Sequence, residues 1–139
     1  SAARALLQIN STLKIIPVTQ RIKGDALDAL VTAVDAVVDC TDNLAARQQL
    51  NAHCYQRKLP FVSASALGWE GQIMAFDFAH NSSLCLNCII NKDSAEPIMN
   101  CGNSGVVGPV LGAMGSLQAT TVIRILLGFF HLASFLFYE

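Results

Sequence analysis

Asp39-Cys40-Thr41-Asp42-Asn43 follows directly on the apolar, β-favouring run Ala36-Val37-Val38 and precedes a helical stretch from Leu44 to Lys58. A buried strand that ends abruptly in two carboxylates, a hydroxyl and an amide predicts an α/β sheet. Such sheets bind their ligands at the C-terminal tips of the strands. On the residues alone, two uses of the acid-amide pair stay open. Asp42 or Asn43 caps the next helix, or the pair holds a hydrated magnesium ion and a nucleotide hydroxyl or phosphate.

Working outward, Ala2 to Ile9 reads as a helix with no N-cap before it, so Ser1 is not expected to be the native start. Leu13 to Thr19 alternates as a strand, with Pro17 placing it near an edge. Gly24-Asp25 opens a helix through Val34, whose apolar face is Ala26, Leu27, Leu30 and Val34. After the helix Leu44 to Lys58, Pro60 opens the apolar run Phe61 to Leu67. Gly68 punctuates it, and Gly71 to Phe78 continues as a strand. Residues 79–102 read as loop. Gly105 to Gly128 reads as a long Gly- and Ala-rich helix with Pro109 in its first turn, and Ser134 to Tyr138 as a last, buried strand. The order predicts a Rossmann-like, mainly parallel sheet flanked by helices, incomplete at the N-terminus, with an antiparallel C-terminal extension.

The 139 residues fit one domain, residues 1–139. Hydrophobic residues make up 53% and charged residues 14%. That excludes a disordered chain and predicts an apolar face to be covered by a partner. A net charge of -1 without a basic cluster gives nucleic-acid binding nothing to rest on. The apolar stretch Ile125 to Phe137 is broken by Gly128, His131 and Ser134 and is too short to span a bilayer, so no membrane partner is expected. Five cysteines, an odd count with no secretory leader, point to a reducing compartment and a cytoplasmic location.

Cys85-Leu86-Asn87-Cys88 is a two-thiolate clip: half a zinc site, a redox pair or coincidence. Its expected place in a loop, away from a helix start, favours half a zinc site. Cys101 lies in Asn100-Cys101-Gly102-Asn103-Ser104-Gly105, ahead of the long helix. It is either a nucleophile favoured by the helix N-terminus or an ordinary loop thiol. Cys40 and Cys54 read as buried small hydrophobes. His53, His80 and His131 have no ligand or catalytic spacing, and no glycine-rich phosphate loop occurs.

Taken in order, Asp39-Cys40-Thr41-Asp42-Asn43, Glu70-Gly71-Gln72, Cys85-x-x-Cys88, Asn100-Cys101-x-x-x-Gly105-Val106-Val107-Gly108-Pro109 and Gly115-Ser116-Leu117-Gln118-Ala119 closely resemble the MoeB/ThiF/HesA family, bacterial relatives of ubiquitin-activating enzymes. The Asn-Cys-x-x-x-Gly-Val-Val-Gly-Pro form is similar to the thiazole-pathway (ThiF) branch more than to the molybdopterin (MoeB) branch. The resemblance implies adenylation, with magnesium-ATP, of the C-terminal glycine of a ubiquitin-like sulfur carrier. It implies Asp42 on the magnesium-ATP, Asn43 as a neighbouring nucleotide contact, Cys101 as the reactive cysteine and Cys85 with Cys88 as half of a four-cysteine zinc site. It also implies a homodimer.

In that family a glycine-rich loop, an acidic ribose contact, an arginine and a lysine come earlier, and a second Cys-x-x-Cys comes later. By that comparison the chain corresponds to the C-terminal two-thirds of such a domain and is expected to be inactive alone. Two other readings compete. One is a non-catalytic dimerising module that binds a ubiquitin-like tail. The other is an NAD-type oxidoreductase domain, against which the missing phosphate fingerprint and the Cys-x-x-Cys clip both weigh.

Overall fold

Two strands carry the architecture because their alternate residues are apolar on both sides. In the computed structural model, which describes residues 2–22, 24–80, 84–90, 105–129 and 134–138, β2 (Pro60–Leu67) and β3 (Glu70–Asp77) pair antiparallel along their whole length, from Pro60 opposite Asp77 to Leu67 opposite Glu70. Successive strand residues point to opposite faces. Val62, Ala66, Ile73 and Ala75 therefore face one core, and Phe61, Met74 and Phe76 face another. Strands buried on both faces lose the polar alternation of a half-exposed sheet, which is why Phe61 to Leu67 is legible as one apolar run.

A helix covers each face. The long α5 (Gly108–Leu126) seats Val110, Met114 and Ile125 on the first core. Against the second lie α3 (Leu44–Arg57), through Cys54, and the four-residue turn α4 (Leu86–Ile89), through Leu86. Phe61 stacks on Phe76 with ring centroids 6.3 Å apart, and Phe76 stacks on Phe78 at 5.4 Å. Local chemistry sets the helix ends. Asn43 caps α3 by accepting from the Ala46 amide at 2.9 Å, and Lys58 closes it in the left-handed region at φ 54°. Pro109 sits in the first turn of α5, where its missing amide proton leaves no bond unmade.

The sheet order is β1-β2-β3-β4, with β1 (Val37–Asp39) parallel to β2 and β4 (Ser134–Tyr138) antiparallel to β3. The α/β class and the antiparallel extension are as expected. Among the described residues the parallel part is a single ladder, Val37–Asp39 against Phe61–Ser63.

Three details differ from the sequence expectation. Leu13 to Thr19 pairs with no described strand and leaves Ile16 71% exposed. Alternation marks a surface to be covered but does not supply a ladder partner, and Pro17 lacks one of the donors a ladder needs. The second helix, α2 (Asp25–Val31), stops before Val34, with the Thr32 hydroxyl bonded back to the Asp28 carbonyl. β4 is not buried. All five of its residues are exposed, and it is the edge strand of the sheet. The first helix, α1 (Ala2–Ile9), forms as read and buries none of its residues.

Although α5 is long and apolar enough by composition to cross a bilayer, it lies on β2 and β3 and bonds the strands through Gln118. It is the core helix of this sheet.

Where α5 crosses β3, the Met114 side chain fills the space that a methyl group on Gly71 would need. A Cβ on Gly71 would stand 2.4 Å from Met114 Sδ and 2.6 Å from its Cγ. Gly71→Ala is therefore expected to cost about 1–3 kcal/mol in urea unfolding, the range for overpacking a core. Shortening the opposing side chain in Gly71→Ala/Met114→Ala should make the pair non-additive, with part of the Gly71→Ala cost recovered.

Candidate functional site: a cavity at the tip of the first strand

A buried acid shapes the end of β1. Asp39 is 1% exposed, and a carboxylate taken out of water must be paired and fully hydrogen bonded. Its Oδ2 accepts from Arg47 Nε at 2.9 Å and from the Ser63 hydroxyl at 2.7 Å. Its Oδ1 accepts from the Thr41 amide at 2.9 Å and the Thr41 hydroxyl at 2.6 Å. Arg47, one turn into α3, spends Nη2 on the carbonyls of Thr41 at 2.8 Å and Ala64 at 3.1 Å. One ion pair thus ties the strand tip, the following turn, the next helix and β2 together.

Gln118 of α5 braces the same tip from the other face. Its Nε2 donates to the carbonyls of Asp39 at 2.9 Å and Val62 at 3.1 Å, and its Oε1 accepts from the Cys40 thiol at 3.4 Å. Cys40 is exposed, not the buried hydrophobe expected from its sequence. It lies one residue past the strand, where the chain leaves the sheet. Its thiol pKa is raised, by burial of the sulfur first and then by the Asp39 charge, so it stays protonated and donates to Gln118. Cys54 is buried as expected, and burial followed by the Asp39 charge pushes its thiol up to about 12.

The turn held in this way opens onto a cavity of ≈ 740 Å³, within the usual range for small-molecule sites. Thr41, Asp42 and Asn43 line one side, Leu67, Glu70 and Gly71 the hairpin side, and Met114 with Gly115 the α5 side. Asp42 is exposed at this cavity, and its Oδ1 accepts only a long 3.3 Å bond from Asn43 Nδ2. Asn43 lines the cavity and caps α3 at once, so its carbonyl oxygen is already used. Among the described lining residues the acids Asp42 and Glu70 face one cation, Arg47, whose Nε and Nη2 are engaged. Asp42 fits a hard divalent cation as an exposed oxygen ligand, and no group of three or more ligating residues exists among the described residues.

The hairpin wall is fixed from behind. Gly68, at φ 57°, receives a bridge from the chain entering α5: its amide donates to the Gly105 carbonyl at 3.0 Å, and its carbonyl accepts from Val107 at 2.9 Å. Cys101, the expected nucleophile, and His131 lie outside the described residues.

Cys85 and Cys88 sit apart from the cavity lining. Cys85 is the N-cap of α4, with Sγ 3.3 Å from Cys88 Sγ. The expectation of a loop is corrected here, and with it goes the argument that set the redox reading aside. The buried Asn51 of α3 holds the turn by accepting from the Leu86 amide at 3.1 Å. Two thiols presented this way fit half of a tetrahedral thiolate site. The Cys88 thiol pKa is lowered by its hydrogen bonds from the Cys85 backbone and side chain. His53 bonds Asp28 at 2.7 Å, joining α3 to α2, and His80 bonds Asp77 at 2.8 Å. Neither lines the cavity.

Sequence reasoning quoted Asp39 and Gln118 within motifs without giving either a role, and passed over Arg47. A signal existed for each. An acid at the end of an apolar strand must be paired, and Arg47 is the first cation in the following helix. Gln118 is an amide on a helix face whose other buried residues, Val110, Met114 and Ile125, are apolar.

Arg47→Met is expected to destabilise the fold by about 3–5 kcal/mol in chemical denaturation, because it strands the buried Asp39 charge. Asp42→Asn should stay within about 0.5 kcal/mol of the native chain, as an exposed substitution does. Thiol alkylation followed by peptide mass spectrometry should label Cys88 first, Cys40 later and Cys54 last. Since Cys54 keeps its proton in the folded chain while the unfolded chain loses it near 9.0, stability should fall as pH rises from that value towards about 12. Cys54→Ala should flatten that slope.

The profile of the ThiF family matches residues 1–138. Over 123 residues, 88% of the chain, it is 42% identical to the sulfur carrier protein ThiS adenylyltransferase of Escherichia coli (strain K12), covering 48% of that protein. It is 40% identical over 126 residues to the molybdopterin-synthase adenylyltransferase of Salmonella typhimurium, covering 91% of the chain and 50% of the relative. The Escherichia coli molybdopterin-synthase adenylyltransferase is also 40% identical, over 129 residues, with 93% and 51% covered. The chain thus spans about half the length of these curated relatives. With the motifs, the sheet and a profile match along nearly its whole length in agreement, the chain belongs to the ThiF family.

Proposed function

We propose that the protein is an adenylyltransferase that activates the C-terminal glycine of a ubiquitin-like sulfur-carrier protein with ATP. The observation that carries this reading is the exposed Asp42 carboxylate on a turn locked at the tip of β1, facing a cavity large enough for a nucleotide and an extended peptide end. The names of the relatives agree with it. The carrier carboxylate would attack the α-phosphate, forming an acyl-adenylate and releasing pyrophosphate.

Asp42 would hold magnesium, which neutralises phosphate charge and aligns the phosphoryl group. Asn43, with Nδ2 still a donor, would contact the nucleotide. The small residues Ala64, Ala66 and Gly71 leave room between turn and hairpin. Arg47 is committed to Asp39, so the phosphate-cradling amides and free cations are assigned to residues outside this chain's motifs. These 139 residues are accordingly expected to show only background activity alone. Cys101 would accept the activated acyl group or carry sulfur.

The thiazole branch is preferred on the Asn100-Cys101 to Pro109 motif. The molybdopterin branch is the second reading, since identities of 42% and 40% to the two kinds of relative do not separate them. We further assign Cys85 and Cys88 to half of a zinc site, on their 3.3 Å separation. Homodimerisation is supported by exposed apolar residues such as Leu117, Ile123 and Leu126 on α5. A cytoplasmic location is supported by the free thiols.

ATP–pyrophosphate exchange by the full gene product should require magnesium and a carrier protein. A thiazole-type carrier should support it better than a molybdopterin-type one. Asp42→Asn should lower the exchange at least about 100-fold, the scale for removing a group that stabilises transition-state charge. Exchange independent of Asp42, or none with either carrier, contradicts the proposal.

A further inference from the structure

Gln118 comes from a helix that contributes no other polar side chain to the buried core, and it reaches the acidic turn through main chain and not through charge. It is 4% exposed. An amide buried to that degree is tolerated only with its donors and acceptor met. Both donor directions end on carbonyls, Asp39 and Val62, and the acceptor takes the Cys40 thiol proton. This distribution fixes the amide orientation, since the opposite one would set its oxygen against two carbonyl oxygens. The Asp39 carbonyl is the last of β1, and Asp42 follows three residues later. The turn is therefore held twice: by the Asp39 side chain on Thr41 and Arg47, and by the Asp39 main chain on Gln118.

These two anchors differ in what they support. The Asp39–Arg47 pair joins β1, α3 and β2, and its loss strands a charge. The Gln118 bridge joins α5 to a peptide unit at the cavity wall, and its loss leaves the ion pair whole. We propose that Gln118 is a positioning residue: through the Asp39 carbonyl and the Cys40 thiol it sets where Asp42 stands in the cavity, and so how well the site takes up a magnesium–nucleotide. This rests on the adenylyltransferase reading above. Sites of this kind need their groups held to within about 0.5 Å, which is the role of the residues behind them.

Gln118→Met keeps length and packing and removes all three bonds. In the full gene product it is expected to stay folded by circular dichroism and thermal melting, while KM for magnesium-ATP in pyrophosphate exchange rises about tenfold or more. The magnesium concentration giving half-maximal rate should rise with it. Cys40→Ala, which removes the thiol donor alone, should shift the same quantities about two- to threefold, and Cys40→Ser, which restores a donor, should return them towards native values. A merely structural glutamine would move melting temperature without moving the magnesium requirement. Native KM and magnesium dependence in folded Gln118→Met overturns the proposal. So do native values in Cys40→Ala if Gln118→Met fails to fold. Native protein without exchange sinks the adenylyltransferase reading and this proposal with it, whereas active native protein with unmoved variants sinks this proposal alone.

Discussion

The burial of one carboxylate organises this structure. Asp39 ends a strand of only three residues, and its charge lies where water does not reach. It survives there because Arg47, Ser63 and Thr41 give it four hydrogen bonds, one of them an ion pair at 2.9 Å. Those partners come from the next helix, the neighbouring strand and the turn between. Satisfying the charge therefore decides how α3 sits on the sheet and which way the chain leaves β1. Such pairs add little net stability over an apolar replacement; what this one contributes is a defined geometry at a cavity wall.

That geometry divides labour between two acids three residues apart. Asp39 is committed to the frame and has no capacity left for a ligand. Asp42 is held by the same turn but stays in contact with solvent. The other walls are also defined: the hairpin is bridged to Gly105 and Val107, and the Met114 side chain of α5 fills the space beside Gly71. The result is a cavity with hydrogen-bonded sides and an acidic lip. For an anionic nucleotide, an acidic lip asks for an intervening cation, and this is the physical content of the proposed magnesium on Asp42.

How much of this was legible in the residues depends on whether the cause was local. The cap at Asn43, the helix stop at Lys58 and the turn at Gly68 follow from nearest-neighbour chemistry, and each stands where the chain implied. The apolar runs of β2 and β3 are legible as strands, and the structure buries them on both faces. Leu13 to Thr19 forms no strand because alternation does not supply a ladder partner, whereas Ser134 to Tyr138 forms its strand but stays exposed, because burial is decided by what lies on either side, which a run of residues does not encode. Cys40 was misread for the same reason, being placed by the end of β1. The brace formed by Arg47 and Gln118 spans separations of 8 and 79 residues. Only packing brings such groups together, so the acid-amide motif announced the cavity while the residues that hold it did not stand out.

The central claim is that Asp42, and not its buried neighbour Asp39, meets the metal-bound nucleotide in this cavity. A crystal structure of the full gene product with ATP and manganese in place of magnesium tests it most directly, because manganese can be located by its anomalous scattering. The account predicts an ion about 2.0–2.2 Å from an Asp42 carboxylate oxygen, with the Asp39–Arg47 pair unbroken. An ion bound to Asp39, or a nucleotide seated away from Thr41–Asn43, would contradict it.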